Sequence, residues 1–138
     1  MRIGELEKIA QRRKLDRMLV SGQANIRAVT GVNCDNAVLE VVRTPCRGGE
    51  KFKTAFHTDF RYVPMVHRVA PELTVRDIRR LGTPAKRRRA APPRIGYESA
   101  VSHARYLAWQ KLFPRATFVD VSKDLAALRA VKTPDELD

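Results

Sequence analysis

Chemistry-bearing residues are scarce in this chain. Its 138 residues include three histidines, two cysteines and one tryptophan. His57, His67 and His103 stand far apart with no HxxxH or HxH pairing, so no clustered ligand set for a hydrolytic metal can be written. Cys34 and Cys46 form no metal or redox motif and have no nearby base, and they read as reduced thiols of a cytoplasmic protein. Gly48-Gly49 lacks the surroundings of a phosphate-binding loop. No apolar run approaches the ~18–20 residues of a membrane span. The first residues, Met1-Arg2-Ile3-Gly4-Glu5-Leu6-Glu7, mix charge into the apolar positions and do not read as a signal peptide. Acidic residues are also short: 15 Asp and Glu stand against 27 Lys and Arg, a net charge of +12. That balance favours anionic partners without specifying one.

What is present is one domain's worth of globular sequence, 43% hydrophobic and 30% charged. Ile3, Leu6 and Ile9 at spacings of three predict an amphipathic helix over 2–14. A short strand is expected over 15–21, and a short helix over 25–30, capped by Asn25 and stopped by Gly31. Residues 37–42 and 51–56 read as a hairpin around Pro45 and Gly48-Gly49. His57 to Tyr62 reads as a strand-to-helix junction with Asp59 as cap, and Pro64 sits in the first turn of the helix that follows. A strand over 73–78 alternates with period two. A strand over 95–98 and a last strand over 117–121 bracket a helix from Ser99 to Phe113, with Val101, Ala104, Leu107, Ala108 and Leu112 as its apolar face. A final helix, capped by Ser122, carries Leu125, Leu128 and Val131. The pattern predicts an α/β fold with a mixed, mostly parallel sheet of five to six strands.

Residues 79–94 break this regularity. They hold three prolines, one large aliphatic residue (Leu81) and the run Lys86-Arg87-Arg88-Arg89, which could contact anions. The aromatic side chains on which single-stranded nucleic acid stacks are absent from this stretch. The sequence closes on Thr133-Pro134-Asp135-Glu136, a capping box that signals the start of a helix. Residues 1–132 are therefore expected to form the domain, and 133–138 the start of a connection to a further one. No internal repeat, recognition helix or visible active site is found.

Several stretches, in order, resemble the creatinase/prolidase N-terminal domain, the non-catalytic domain that precedes the catalytic domain of Xaa-Pro dipeptidases, aminopeptidases P and creatinases. They are Leu15-Asp16-Arg17-Met18-Leu19-Val20, Asn25-Ile26-Arg27 through Thr30-Gly31, Asn36-Ala37-Val38-Leu39, Thr58-Asp59-Phe60-Arg61-Tyr62, Arg94-Ile95-Gly96-Tyr97-Glu98, Phe118-Val119-Asp120, and Leu128 through Glu136. The resemblance implies a ribonuclease-H-like three-layer α/β/α fold with a mixed sheet. It also implies a parent metallopeptidase that cleaves before proline with two divalent metals (Mn²⁺, Co²⁺ or Zn²⁺) held by its own C-terminal catalytic domain. No metal ligand or catalytic residue maps onto this sequence. The resemblance further implies a homodimer in which Asn25, Arg27, Asn33, Cys34, Asp35 and Arg61 border the neighbouring subunit's cleft. Two departures stand out. Ala28-Val29 precedes Thr30-Gly31 where the family has a larger aromatic-leucine pair, and the basic stretch 79–94 replaces a helix, leaving one sheet face thinly covered. The competing readings are a stand-alone module that binds nucleic acid or another polyanion through 79–94, and a dimerisation subunit from a split gene.

Overall fold

In the computed structural model, residues 1–81 and 92–131 are described. Lys86 to Arg89 and Thr133 to Glu136 lie outside the described residues. Helix α1 (Ile3–Arg12) leads into β1 (Arg17–Val20), α2 (Gln23–Thr30), and a long hairpin of β2 (Ala37–Cys46) and β3 (Gly49–Thr58). After a 3-10 turn at Phe60–Tyr62 come α3 (Val63–Val69), β4 (Thr74–Asp77) and a second 3-10 turn at Ile78–Arg80. The chain then returns as β5 (Arg94–Tyr97), α4 (His103–Leu112), β6 (Thr117–Asp120) and α5 (Ser122–Ala130).

The sheet order is β4-β3-β2-β1-β5-β6. Strand β2 runs antiparallel to β1 and β3, and the β1–β5, β5–β6 and β3–β4 pairs are parallel. The central strands carry apolar residues on both sides, although Arg17, Glu40 and His57 make part of the second face polar. Met18 and Val20 turn to one face with Leu39, Val41 and Phe56, where Leu6, Ile9, Ile26, Val29, Val66, Leu125 and Leu128 of four helices close over them. Leu19 and Val38 turn to the other, with Ile95, Leu81 and Trp109 of α4. This gives the expected three layers with unequal cover: four helices on one face and, among the described residues, α4 alone on the other.

Several expectations need correction. Asn25 does not cap α2: Gly22 occupies that position, and the helix starts two residues earlier than expected. Helix α4 is capped by Ser102, whose Oγ accepts from the Arg105 N–H at 3.1 Å, and not by Ser99. Its inner face also differs, since Leu107 and Leu112 are 43% and 47% exposed while Trp109 is buried. The aromatic surface beneath explains this. Tyr106 stacks on Tyr97 at 5.1 Å and meets Phe118 edge-on at 5.4 Å, so the helix turns its rings toward the sheet, not its leucines. Ser122 is the first residue of α5 and Val121 its cap, while Val131 lies past its end and is exposed. The hairpin runs through Pro45 to Cys46 because β1 pairs β2 only as far as Val42, leaving one side of β2 open beyond it.

Gly31 ends α2 in the left-handed region at φ 79° and donates its N–H to the Arg27 carbonyl at 2.8 Å. An added Cβ would meet only Val69 Cγ1, at 3.8 Å, so substitution carries backbone strain without a clash. Gly31→Ala is expected to lower stability by about 1–2 kcal/mol in urea titration.

Candidate functional site

Strands β1, β3, β4, β5 and β6 all end on the edge of the sheet where β2 begins. In open α/β sheets this is the edge where ligands and partners usually engage. Four carboxylates stand at the strand ends there: Asp77 and Asp120 close β4 and β6, and Asp59 and Glu98 directly follow β3 and β5. Three of them tighten the turn that follows, accepting the backbone N–H two residues on. Asp59 accepts from Arg61 at 3.0 Å, Asp77 from Arg79 at 2.9 Å and Asp120 from Ser122 at 2.9 Å.

The corner after β3 is the most developed of these. Asp59 Oδ1 also accepts from Arg61 Nε at 3.0 Å, and its Oδ2 accepts from Arg61 Nη2 at 3.1 Å and from Asn36 Nδ2 at 2.7 Å. The Arg61 guanidinium, and after it the Asn36 amide, hold the Asp59 carboxyl well below the usual carboxylate range. Tyr62 donates its hydroxyl to Asp35 Oδ1 at 2.8 Å, and this bond pushes the phenol pKa up. The Arg61 guanidinium lies over the Tyr62 ring at 5.4 Å. Beneath, buried Cys34 places Sγ 3.6 Å from Thr58 Oγ1. The loop before β2 and the corner after β3 thus form one rim. Phe60 stands 83% exposed at its crest beside the exposed Arg61.

A second cluster lies at the ends of β1 and β5. The buried Glu98 carboxylate accepts from the backbone N–H groups of Ser21 at 2.7 Å and Gly22 at 2.5 Å, and from Asn25 Nδ2. A Cβ on residue 22 would come within 2.6 Å of Glu98 Oε1, so the close approach requires glycine. The carboxylate takes the orphan donors at the start of α2, in place of a capping side chain.

The structure therefore gathers Asn33, Cys34, Asp35 and Arg61 on one rim. Asn33 Oδ1 accepts from Gln23 Nε2 at 2.5 Å. Asn25 is separated from them and tied inward to Glu98. Arg27 is exposed on α2. Glu98 is not among the residues that the sequence singles out, and neither is a buried trio on the second sheet face: Glu40 pairs with Arg17 and faces His57 Nε2, 3.0 Å away. Glu40 has one visible signal, a lone charge inside the apolar run of residues 37–42.

The profile of the creatinase/prolidase N-terminal domain matches residues 2–131. The chain belongs to that family. Among curated proteins, none matches the sequence. The N-terminal domain of the cytoplasmic peptidase PepQ from Mycobacterium tuberculosis is similar at 23% identity with a TM-score of 0.68, covering 90% of this chain and 95% of that one. The creatinase/prolidase-like N-terminal domain of a putative metallopeptidase from Corynebacterium diphtheriae is similar at 19% identity and TM-score 0.65, covering 84% and 90%. The X-Pro aminopeptidase of Thermotoga maritima superposes with TM-score 0.77 at 16% identity, covering 99% of this chain but 38% of that one. These likenesses establish the fold.

The described residues of this creatinase/prolidase N-terminal domain do not fit a two-metal centre. Asp59 and Asp77 are each forked by an arginine, with Arg79 holding the Asp77 pKa down at about 2. Among the described residues, no three His, Cys, Asp or Glu are grouped to hold a metal. Nor is any described helix long and apolar enough to cross a membrane.

Proposed function

We propose that this chain serves as the non-catalytic N-terminal domain of a cytoplasmic Xaa-Pro peptidase. It packs against a C-terminal catalytic domain, pairs with a second copy, and presents the Asn33–Asp35 and Phe60–Arg61 rim to the neighbouring subunit's cleft. The family match over residues 2–131 carries this reading. The rim supports its finer part. Its Asp59 carboxylate is saturated by internal hydrogen bonds and unsuited to proton transfer, whereas Phe60 and Arg61 project outward as contact groups suited to another polypeptide. The two divalent metals of the reaction belong, on this reading, to the catalytic domain.

The purified chain is expected to give no hydrolysis of Xaa-Pro dipeptides, with or without added Mn²⁺. Turnover above background that persists through a chelation and repurification cycle would defeat the proposal.

A further inference from the structure

The second face of the sheet carries a groove that the peptidase-domain reading does not use. Among the described residues, helix α4 covers that face over β1, β5, β6 and the Val38 end of β2. Among the described residues, a groove of about 380 Å³ remains over the rest of β2 and over β3 and β4, floored by Val42 and Ala55. Strand register sets its contents. Arg17, Val42 and Lys53 stand side by side across three strands, Glu40, Ala55 and Thr74 form the next row, and His57 and Arg76 the row beyond. The cations Arg17, Lys53, Arg76 and Arg80 line the groove against one acid, Glu40.

That acid is already engaged. Glu40 is buried, with one oxygen paired to Arg17 and the other facing His57 Nε2 at 3.0 Å. Arg17 is further held over the Phe113 ring at 4.8 Å, which fixes its guanidinium at the groove wall. Lys53 and Arg76, by contrast, have no hydrogen-bond or ion-pair partner among the described residues. Hydroxyls of Thr44 and Thr74 flank the same space. Neighbouring strands lie about 4.8 Å apart, so Arg17 and Lys53 leave their backbones about 10 Å apart and can close on one small ligand.

We propose that this groove binds a small phosphate-bearing ligand. A tetrahedral oxyanion offers several acceptors to an arginine fork, a lysine and hydroxyl donors together, and a groove of this size admits a molecule larger than a lone ion. The apolar floor takes the body of the ligand while its charged end meets Lys53 and Arg76.

The test uses the whole 138-residue chain and inorganic pyrophosphate, followed by titration calorimetry. The expected result is one saturable site whose affinity falls about tenfold or more in Lys53→Gln/Arg76→Gln, since two charge-assisted contacts are removed. Both side chains are exposed, so the variant should melt with the parent. The basic stretch is the control: neutralising Lys86 to Arg89 should leave affinity unchanged. Absence of saturable binding, or loss in the Lys86–Arg89 variant with retention in the groove variant, overturns the proposal. Equal affinity for succinate overturns the phosphate assignment.

Discussion

Glu98→Ala is expected to destabilise this domain by about 3–5 kcal/mol, because it strips a buried acceptor from several donors at once. Ser21 N, Gly22 N and Asn25 Nδ2 all converge on the Glu98 carboxylate, which is 6% exposed. Alanine leaves two backbone N–H groups at the start of α2 without an acceptor, at about 1–3 kcal/mol each. Glu98→Gln should cost less, about 1–2 kcal/mol, for a specific reason. Asn25 Oδ1 is buried without a partner. An amide at position 98 can keep one oxygen on the backbone donors and turn its NH₂ toward that orphan oxygen. Asn25→Asp should harm the parent by setting two carboxylates together, yet be tolerated in combination with Glu98→Gln, where the new acid accepts from the amide. Urea unfolding of the four proteins forms a double-mutant cycle, and additive losses would show that the two side chains do not act as a pair. The consequence reaches the rim. Glu98 fixes where α2 begins, α2 ends at Gly31, and the rim loop follows directly.

How far each feature can be read in the sequence depends on how local its cause is. Pro64 in the first turn of α3 and Gly31 as a helix stop are set by residues two or three apart, and both stand as expected, whereas Asp59 caps the 3-10 turn at Phe60–Tyr62 and leaves Tyr62 at the cap position of α3. The hairpin is legible for the same reason, although its length is not, since strand content at Pro45 depends on which neighbour β1 leaves uncovered. Five to six strands are expected and six are found, but the insertion of β5 beside β1 places partners 77 positions apart, as in the Ser21–Glu98 bond. No periodicity reports such a contact. Asn25 reads in the sequence as a cap or a cleft contact, and the structure turns it inward to a residue far along the chain. The spacing of the leucines on α4 points to the wrong face, because the aromatic surface of Tyr97 and Phe118 decides which side is buried. The rim residues come together because residues 33–36 and 59–62 flank paired ends of one hairpin, Ala37 opposite Thr58.

The second large effect is expected at Glu40. Replacing it with leucine leaves Arg17, whose side chain is 12% exposed, without its counter-charge and His57, at 1%, without its hydrogen-bond partner. Breaking a buried pair from one side costs about 3–5 kcal/mol, and Glu40→Leu should fall in that range. Replacing all three, Arg17→Met with Glu40→Leu and His57→Phe, should return most of the loss, since apolar groups of similar volume avoid the desolvation that the ions incur. The acid limb of the stability curve separates charge from packing. Burial acts to raise the Glu40 pKa, but the His57 hydrogen bond and the Arg17 charge outweigh it, and the carboxyl titrates below its ordinary 4.5. A lowered pKa in the folded state means that the contribution is fully present above pH 4.5 and is lost as pH falls through the folded value. The difference in unfolding free energy between the parent and Glu40→Leu should therefore shrink as pH falls below 4.5. A difference that stays constant to about pH 2 would mean that leucine is merely the wrong shape. A shrinking one means that the ion pair holds β1 and β3 through β2, and with them the wall of the groove beneath Lys53 and Arg76.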